Sequence, residues 1–408
     1  MNTHPSILSG IKVLDLTRVL AGPWCTQSLA DLGATVYKIE RPEIGDEMRH
    51  SPPFLHDPDG SRSKDSVPYL CVNRGKHSLT IDFTRPEGRR ILRELVLQCD
   101  VLVENFKVGD LKRHGLDYDS LKEIHPELVY CSITGYGQDG PMASLPGYDP
   151  VFQAISGIMS TCGLPDGVPG GGPMRSMVSL VDVMTGMMST SAILAALFHR
   201  ERTGEGQYID MALLDVALAS TAHLGQNYLS TGKLPQRAGN GSLLFAPSGC
   251  FPCLEGEVFI QIGNDLQWRR LCQALERDDW LNDSRFETNG QRMEHIPELN
   301  AAVSAVTRQW DKHLLADKLG AAGVPCGPVN TLDQAFAHPQ AVHRGIRIEI
   351  DHEIHGSIPF IRNPMQFSKT PPSHRPPPRF GADTEAVLRA ELGLSGEDVA
   401  RLRQADVV

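Results

Sequence analysis

The sequence lacks the motifs that identify several common enzyme classes. No GxGxxG follows the first predicted strand, which argues against an NAD-dependent dehydrogenase. HExxH, EF-hand and P-loop spacings are also absent, so no zinc protease, calcium or nucleotide-phosphate site is indicated. The N-terminus has no basic segment followed by an apolar one, so we expect no signal peptide and a cytoplasmic location.

Basic residues are in deficit, with 39 Lys and Arg against 49 Asp and Glu and a net charge of −10. This balance argues against nucleic acid or an anionic membrane as the main partner, although it permits a local basic pocket. Nine cysteines at scattered spacings predict reduced thiols. A length of 408 residues favours two domains, and 41% hydrophobic residues is typical of a soluble globular protein.

One apolar stretch, residues 177–198, is long enough to be considered as a membrane span. Asp182, Gly186 and several Ser and Thr residues interrupt it, so we predict a buried helix instead. Asp182 is the only charged residue between Arg175 and His199, and it lies 33 residues after Asp149 of a Gly-Tyr-Asp-Pro segment. Such a carboxylate either caps a helix or serves a function, because burying it without a partner is costly.

Strand and helix patterns alternate in the first third of the chain. Strands are predicted at residues 11–16, 34–40, 79–82, 100–106 and 128–134, with Thr84 as the N-cap of a helix that ends near Gln98. This α/β alternation indicates a Rossmann-like domain with a parallel sheet, in which ligands bind at the carboxyl ends of the strands.

The later chain predicts long helices at 183–199 and 212–229 and then a smaller α+β domain. We therefore divide the chain into a large domain (1–205), a linker (206–235), a small domain (236–315), a second linker (316–345) and a C-terminal segment (346–408). The segment Asp351–Gly356 contains two histidines between β-rich runs, and we interpret it as a solvated hairpin turn and not as a metal site.

Many short segments, taken in order, resemble the class III CoA-transferase family. This family includes formyl-CoA transferases, carnitine CoA-transferases and 2-methylacyl-CoA racemases. The matching segments are residues 10–18, 21–23, 31–34, 38–42, 45–46, 73–78, 103–106, 116–118, 132–137, 147–149, 203–207, 323–328 and 376–378. The resemblance implies an interlocked homodimer of chains with a large and a small domain, in which the C-terminal segment returns to the large domain.

The resemblance also implies site residues and substrates. It makes Asp182 the nucleophile that exchanges CoA between an acyl-CoA and a small carboxylate through an anhydride and an aspartyl-CoA thioester. No permanently bound cofactor and no metal are expected. The implied CoA-binding residues are Val19, Arg41, Val72, Lys76, Asn105, Phe106, Arg113 and the turn Gly135, Tyr136 and Gly137.

Position 148 distinguishes transferases from racemases in this family, because the racemases have His there and transferases commonly have Tyr. Tyr148 therefore favours acyl transfer, since a phenol is a poor base at neutral pH. A racemase or epimerase and a non-catalytic CoA-binding subunit are the alternatives.

The other expected pocket residues are Asp149, Arg18, Leu20, Gly239 and Asn240. Leu20 replaces the Gln that formyl-CoA transferases present to oxalate, which argues against oxalate. The sequence most resembles relatives that exchange CoA between succinyl-CoA and small dicarboxylates such as glutarate. Arg18 or Arg175 could hold a distal carboxylate, and a structural salt bridge is an equally good interpretation of each. The loop 239–242, with Gly239 and Asn240, is a candidate to close over the site, and the sequence does not decide whether it does so.

Overall fold

The computed structural model describes residues 6–408, which form two compact units. The first comprises the chain up to Ile158, Ser176–Gly232 and Val342–Val408. The second comprises Met159–Arg175 and Lys233–Ala341. The segments 206–235 and 316–345, expected as linkers, contain regular elements of these units.

The first unit is built on a parallel sheet. The strands up to residue 212 are β1 (Lys12–Asp15), β2 (Thr35–Glu40), β3 (Phe54–His56), β4 (Arg62–Ser66), β5 (His77–Thr80), β6 (Val101–Glu104), β7 (Val129–Thr134) and β8 (Tyr208–Ala212). Six of them pair in the order β5-β2-β1-β6-β7-β8, and every neighbouring pair is parallel. The predicted parallel sheet is therefore confirmed, and β8 adds a sixth strand from a segment that was expected to be a linker.

The remaining strands form small antiparallel sheets. They are β9 (Ser248–Pro252), β10 (Glu257–Gln261), β11 (Cys326–Pro328), β12 (Arg347–His352) and β13 (Gly356–Ile361). In the second unit β10 lies between β9 and β11. In the first unit β3 pairs with β4 and β12 pairs with β13.

Helices make up most of the rest of the chain. The α-helices are α1 (Ala21–Asp31), α2 (Val67–Leu70), α3 (Pro86–Val96), α4 (Tyr118–Lys122), α5 (Asp149–Ile155), α6 (Ile158–Thr161), α7 (Leu180–Thr203), α8 (Leu213–Ser220), α9 (Ala222–Thr231), α10 (Asp265–Ala274), α11 (Asn289–Glu294), α12 (Ile296–Thr307), α13 (Lys312–Ala321), α14 (Leu332–Ala337), α15 (Pro339–His343), α16 (Thr384–Leu392) and α17 (Gly396–Gln404).

Two helix predictions need correction. Thr84 does not cap α3, because Arg85 occupies the N-cap position and the Thr84 hydroxyl and amide instead bond to Asp82. The helix predicted over 212–229 is two helices, since Ala222 at the start of α9 has a φ of +47°, which interrupts a continuous α-helix.

Alternate residues along the strands pack on opposite faces of the parallel sheet. Leu14 and Leu102 belong to a core with helices α3, α16 and α17, whereas their neighbours Val13 and Val101 belong to a core with α1 and α7. This period of two is the pattern of a sheet covered by helices on both faces. The second unit has its own core around the stacked rings of Trp268 and Trp280.

Helix α7 is the one described helix that is long and apolar enough to cross a membrane. One side of it is buried in the first unit, through Thr185, Ser189 and Ile193, while Met187 and Phe198 are exposed. The predicted buried helix is therefore buried on one side only within this chain. All nine cysteines are free thiols, as predicted.

Candidate active site

Asp182 lies in the first turn of α7, where it is partly buried. Its carboxylate makes no side-chain hydrogen bond to the residues that the structure describes. The cap of α7 comes from Asp149, whose Oδ2 accepts the N–H groups of Val181 at 2.7 Å and Asp182 at 3.1 Å. The interpretation of Asp182 as the capping residue is therefore wrong, and its carboxylate is free for chemistry.

Asp149 is itself fixed by a buried network. It is 3% exposed at the first position of α5, and its Oδ1 accepts the Nε2–H of Gln153 at 2.5 Å. The amide oxygen of Gln153 accepts the N–H of Ser176 at 2.9 Å, which ties the segment before α7 to α5. Sequence reasoning missed Gln153, although its spacing of four from Asp149 on a predicted helix could have indicated the pair.

The environment of Asp182 favours its protonated form. Burial, and then the negative charge of Asp149, raise the pKa of Asp182 to about 7. A carboxylate with so raised a pKa is destabilising when ionised, and such groups concentrate at functional sites. The same desolvation makes the ionised carboxylate a better nucleophile than one in water.

A glycine lets the first turn of α1 pack closely against α7. Gly186 follows Asp182 by one helical turn on the same face of α7. A Cβ at Gly186 would lie 2.6 Å from the carbonyl oxygen of Ala21, so only glycine fits here. The first turn of α1 therefore contacts α7 one helical turn after Asp182.

The turn between β1 and α1 is strained and held by buried charges. Val19 has a φ of +69°, a costly conformation for a β-branched residue. Asp46 accepts the Val19 N–H at 3.3 Å and pairs with Lys38, whose Nζ donates to the carbonyl of Thr17 at 2.9 Å. Strain fixed in this way is typical of ligand-binding turns.

A cavity of about 380 Å³ lies at the carboxyl ends of β1 and β2. The predicted residues Arg18, Arg41 and Phe106 line it, together with Phe83. The Arg18 guanidinium is 5.0 Å from the centre of the Phe106 ring and forms a salt bridge with Glu47 at 2.7 Å. Two cationic groups and two aromatic rings suit a ligand that carries phosphate and a planar base.

Asn105 supports this cavity through the backbone. Its Oδ1 accepts the Arg18 N–H at 2.9 Å, and its Nδ2 donates to the Arg18 carbonyl at 2.8 Å. Leu20 occupies the N-cap position of α1. The structure thus brings the predicted residue Asn105, which follows β6, against the turn that contains the predicted residues Arg18, Val19 and Leu20.

Two predicted CoA-binding residues lie in the core. Val72 is fully buried, and Lys76 is 4% exposed. The Lys76 ammonium donates to Asp15, Asn73 and the carbonyl of Pro23 at 2.8–3.1 Å, so all three of its N–H groups are used. Burial raises the pKa of Asp15, but Lys76 and Lys38 outweigh it and the value falls to about 2. Lys76 therefore stabilises the core below the cavity and is not available to a phosphate.

The other predicted positions are distributed around the unit. Arg113 is 74% exposed at its side chain and pairs with Asp110. The Tyr136 ring packs on Phe152 at 5.1 Å, and Gly137 has a φ of +89° that favours glycine in this turn. Tyr148 is at the N-cap of α5 and is 70% exposed.

Gly239 and Asn240 belong to the second unit. The Gly239 N–H donates to the carbonyl of Gly163, and the Asn240 amide contacts the Cys250 sulfur at 3.2 Å. Closure of this loop over the site stays a prediction.

The predicted hairpin turn at Asp351–Gly356 is confirmed, since it joins β12 to β13, but it is only partly solvated, because His352 is buried and His355 is partly buried. His352 and His355 stack at 4.9 Å, and His355 Nε2 lies 2.8 Å from Asp65 Oδ2. These three side chains could in principle hold a metal ion. However, His352 Nδ1 accepts the N–H groups of Ile354 and His355, so the proton of the neutral ring is on Nε2, the atom that faces Asp65. A hydrogen-bonded cluster explains this arrangement better than a metal site.

Comparisons with known proteins agree with the family resemblance. The sequence model described as CoA-transferase family III matches residues 8–384. The succinate–glutarate CoA-transferase of Agrobacterium fabrum is 45% identical over 94% of this chain and 95% of its own length. The human succinyl-CoA:glutarate CoA-transferase is 37% identical over 98% of this chain and 90% of its own length.

A solved structure of a CAIB/BAIF family protein from Brucella suis is similar, with a TM-score of 0.86 and 42% identity. The similarity covers 95% of this chain and 100% of that one. The family match, the two curated relatives and this structure all extend over nearly the whole chain. The chain belongs to CoA-transferase family III.

Proposed function

We propose that this protein moves CoA from an acyl-CoA donor such as succinyl-CoA to a small dicarboxylate such as glutarate, with Asp182 as the nucleophile. The main support for this role is that the Asp182 carboxylate is unpaired at the start of α7, where Asp149 already caps the helix. The relatives named as succinate–glutarate and succinyl-CoA:glutarate CoA-transferases support the substrate class.

The proposed reaction uses one carboxylate twice. Ionised Asp182 attacks the thioester carbonyl of the donor, which releases CoA thiolate and leaves a mixed anhydride. The thiolate attacks the Asp182 carbonyl of that anhydride, so the donor acid leaves and an aspartyl-CoA thioester remains. The acceptor carboxylate then attacks this thioester and releases the thiolate, which attacks the acceptor carbonyl of the new anhydride. The new acyl-CoA departs and Asp182 is a carboxylate again.

The cavity at the ends of β1 and β2 is the proposed site for the nucleotide end of CoA. Arg41 and Arg18 would contact phosphates, and Phe106 would pack against adenine. The β1–α1 turn would then lead the pantetheine arm toward Asp182, since Gly186 brings the start of α1 against α7. Arg113 is a further candidate for contact with a phosphate. Lys76 is not included in the proposed CoA site, because its N–H groups are used by buried partners.

We further propose that the active form is an interlocked homodimer in the cytoplasm. Within one chain, Tyr148, Met187 and Phe198 are large exposed side chains on α7 or at the start of α5. A second copy that covers them would exclude water from Asp182, which protects anhydride and thioester intermediates from hydrolysis.

A matrix of acyl-CoA donors and carboxylate acceptors tests the proposed activity. Succinyl-CoA and acetyl-CoA are combined with glutarate, succinate and oxalate, and the products are identified by mass spectrometry. Glutaryl-CoA formation from succinyl-CoA is expected to be fastest, and oxalate should be a poor acceptor. Failure of every dicarboxylate as acceptor would contradict the proposal.

The role of Asp182 needs a matched control. Asp182→Asn should lower kcat by several orders of magnitude while the protein stays folded. Asp215→Asn changes an exposed Asp in the first turn of α8 and should leave kcat unchanged. Full activity of Asp182→Asn would contradict the nucleophile assignment.

A further inference from the structure

We infer that Gln153 is a positioning residue for the transfer reaction, because its amide holds the Asp149 carboxylate against the first turn of the helix that carries Asp182. This inference rests on the proposed role of Asp182 as nucleophile. Gln153 itself is fully buried and has no route to the substrate except through Asp149 and the segment before α7.

The first step of the argument concerns the α7 cap. A helix start leaves backbone N–H groups without partners, and the N-cap residue Ser179 makes no side-chain capping bond. Asp149 from α5 supplies the missing acceptor for Val181 and Asp182. The position of the Asp182 main chain is therefore set by a side chain 33 residues earlier.

The second step concerns how that side chain is aimed. The Asp149 carboxylate has two oxygens, and rotation about the Cβ–Cγ bond would exchange them or turn both away from α7. Gln153 removes this freedom, because its Nε2 donates to Asp149 Oδ1 at 2.5 Å while Oδ2 faces α7. The same Nε2 lies 3.3 Å from the Ser176 carbonyl, and Oε1 accepts the Ser176 N–H.

The third step is charge. Gln153 donates its N–H to the buried Asp149 carboxylate and so fixes where the negative charge of Asp149 lies. After burial, the negative charge of Asp149 is what raises the pKa of Asp182. Gln153 thereby influences both the place and the proton affinity of the nucleophile without touching it.

Gln153→Leu is the first test, because it removes the amide at similar size. It should lower kcat roughly 10-fold with the acyl-CoA KM within about twofold, since a displaced nucleophile affects chemistry more than binding. When Asp149 has already been changed to Asn, Gln153→Leu should lower kcat by less than about twofold, because Gln153 acts through the Asp149 carboxylate and that group is then absent. If Gln153→Leu lowers kcat by the same factor with and without Asp149→Asn, the inference is overturned.

Gln153→Glu supplies a pH readout that a general packing role would not produce. When the introduced carboxyl group is protonated, it can still donate to Asp149 and accept from Ser176. When it is ionised, it places a second negative charge against Asp149. We expect kcat/KM of this variant to rise and then fall with pH, whereas the wild type rises to a plateau. If kcat/KM of Gln153→Glu reaches a plateau at high pH, as in the wild type, the inference is overturned. This variant also provides the test if Gln153→Leu does not fold.

The matched control is Gln291→Glu in the capping box of α11, where Glu serves as well as Gln. It should leave the pH profile unchanged. Asp182→Asn, assayed in parallel, separates the two proposals. If that variant is inactive and the Gln153 effects are absent, only the positioning role fails. If that variant is active, the nucleophile assignment itself fails.

Discussion

Replacing Asp182 with Asn should stabilise the folded protein at alkaline pH while it abolishes transfer. The pKa of Asp182 is raised from its usual 3.8 to about 7, by burial and then by Asp149. The folded state therefore binds this proton more tightly than the unfolded state does. The charged carboxylate costs stability, and this cost is absent below pH ~4, grows as the pH rises to about 7 and is constant above that.

The size of the effect follows from that difference. Each pKa unit corresponds to about 1.4 kcal/mol, so a rise from 3.8 to about 7 sets a ceiling of about 4 kcal/mol. Asp182 is only partly buried and water screens part of the interaction, so we expect about 1–2 kcal/mol. Stability gained on loss of a functional charge is the expected trade-off at an active site.

Urea unfolding of both proteins at one protein concentration, at pH 8.5 and pH 5, measures this difference. The Asn variant should have the higher free energy of unfolding at pH 8.5, and the gap should narrow at pH 5. A variant that is less stable than the wild type by the same amount at both pH values would refute the reasoning. That result is what a capping carboxylate predicts.

Three further predictions follow from the site. The wild-type kcat/KM should rise with pH through about 7, as Asp182 ionises, and a profile that is flat from pH 5.5 to 8.5 would contradict this. Arg41→Ala should raise the acyl-CoA KM more than it lowers kcat; a change in kcat alone would remove Arg41 from the CoA site. Lys76→Met should lower the free energy of unfolding by about 3–5 kcal/mol, because it leaves Asp15 buried without its partner; an unchanged unfolding midpoint would contradict that role.

The parallel sheet was predictable because each strand alternates between two buried faces and ends in a polar turn. The sixth strand, β8, was not predicted as part of the sheet, because its pairing with β7 is a long-range contact. The break between α8 and α9 depends on the positive φ of Ala222, and the pattern of residue types does not predict this backbone conformation. The predicted start of α3 differs from the observed one by a single residue, because Arg85 and not Thr84 is its N-cap.

The candidate site was partly predictable for similar reasons. A lone Asp in an apolar segment indicated Asp182, and the family resemblance indicated Arg18, Arg41 and Phe106, which all follow strands of the sheet. The sequence could not show that Asp149 caps α7 or that Gln153 aims it, because both depend on how two helix starts meet. Lys76 was predicted to bind CoA, but its ammonium group forms a buried salt bridge with Asp15. The sequence alone does not distinguish these two roles of a basic residue.

The most direct test of the central claim is the covalent state of Asp182 during turnover. The enzyme is incubated with succinyl-CoA alone, quenched, digested and analysed by mass spectrometry, with hydroxylamine treatment of a parallel sample. The account predicts a CoA thioester on the peptide that contains Asp182, its conversion to a hydroxamate with loss of activity, and no adduct on Asp182→Asn. An active enzyme that carries no adduct on this peptide, or carries it on another residue, would contradict the account.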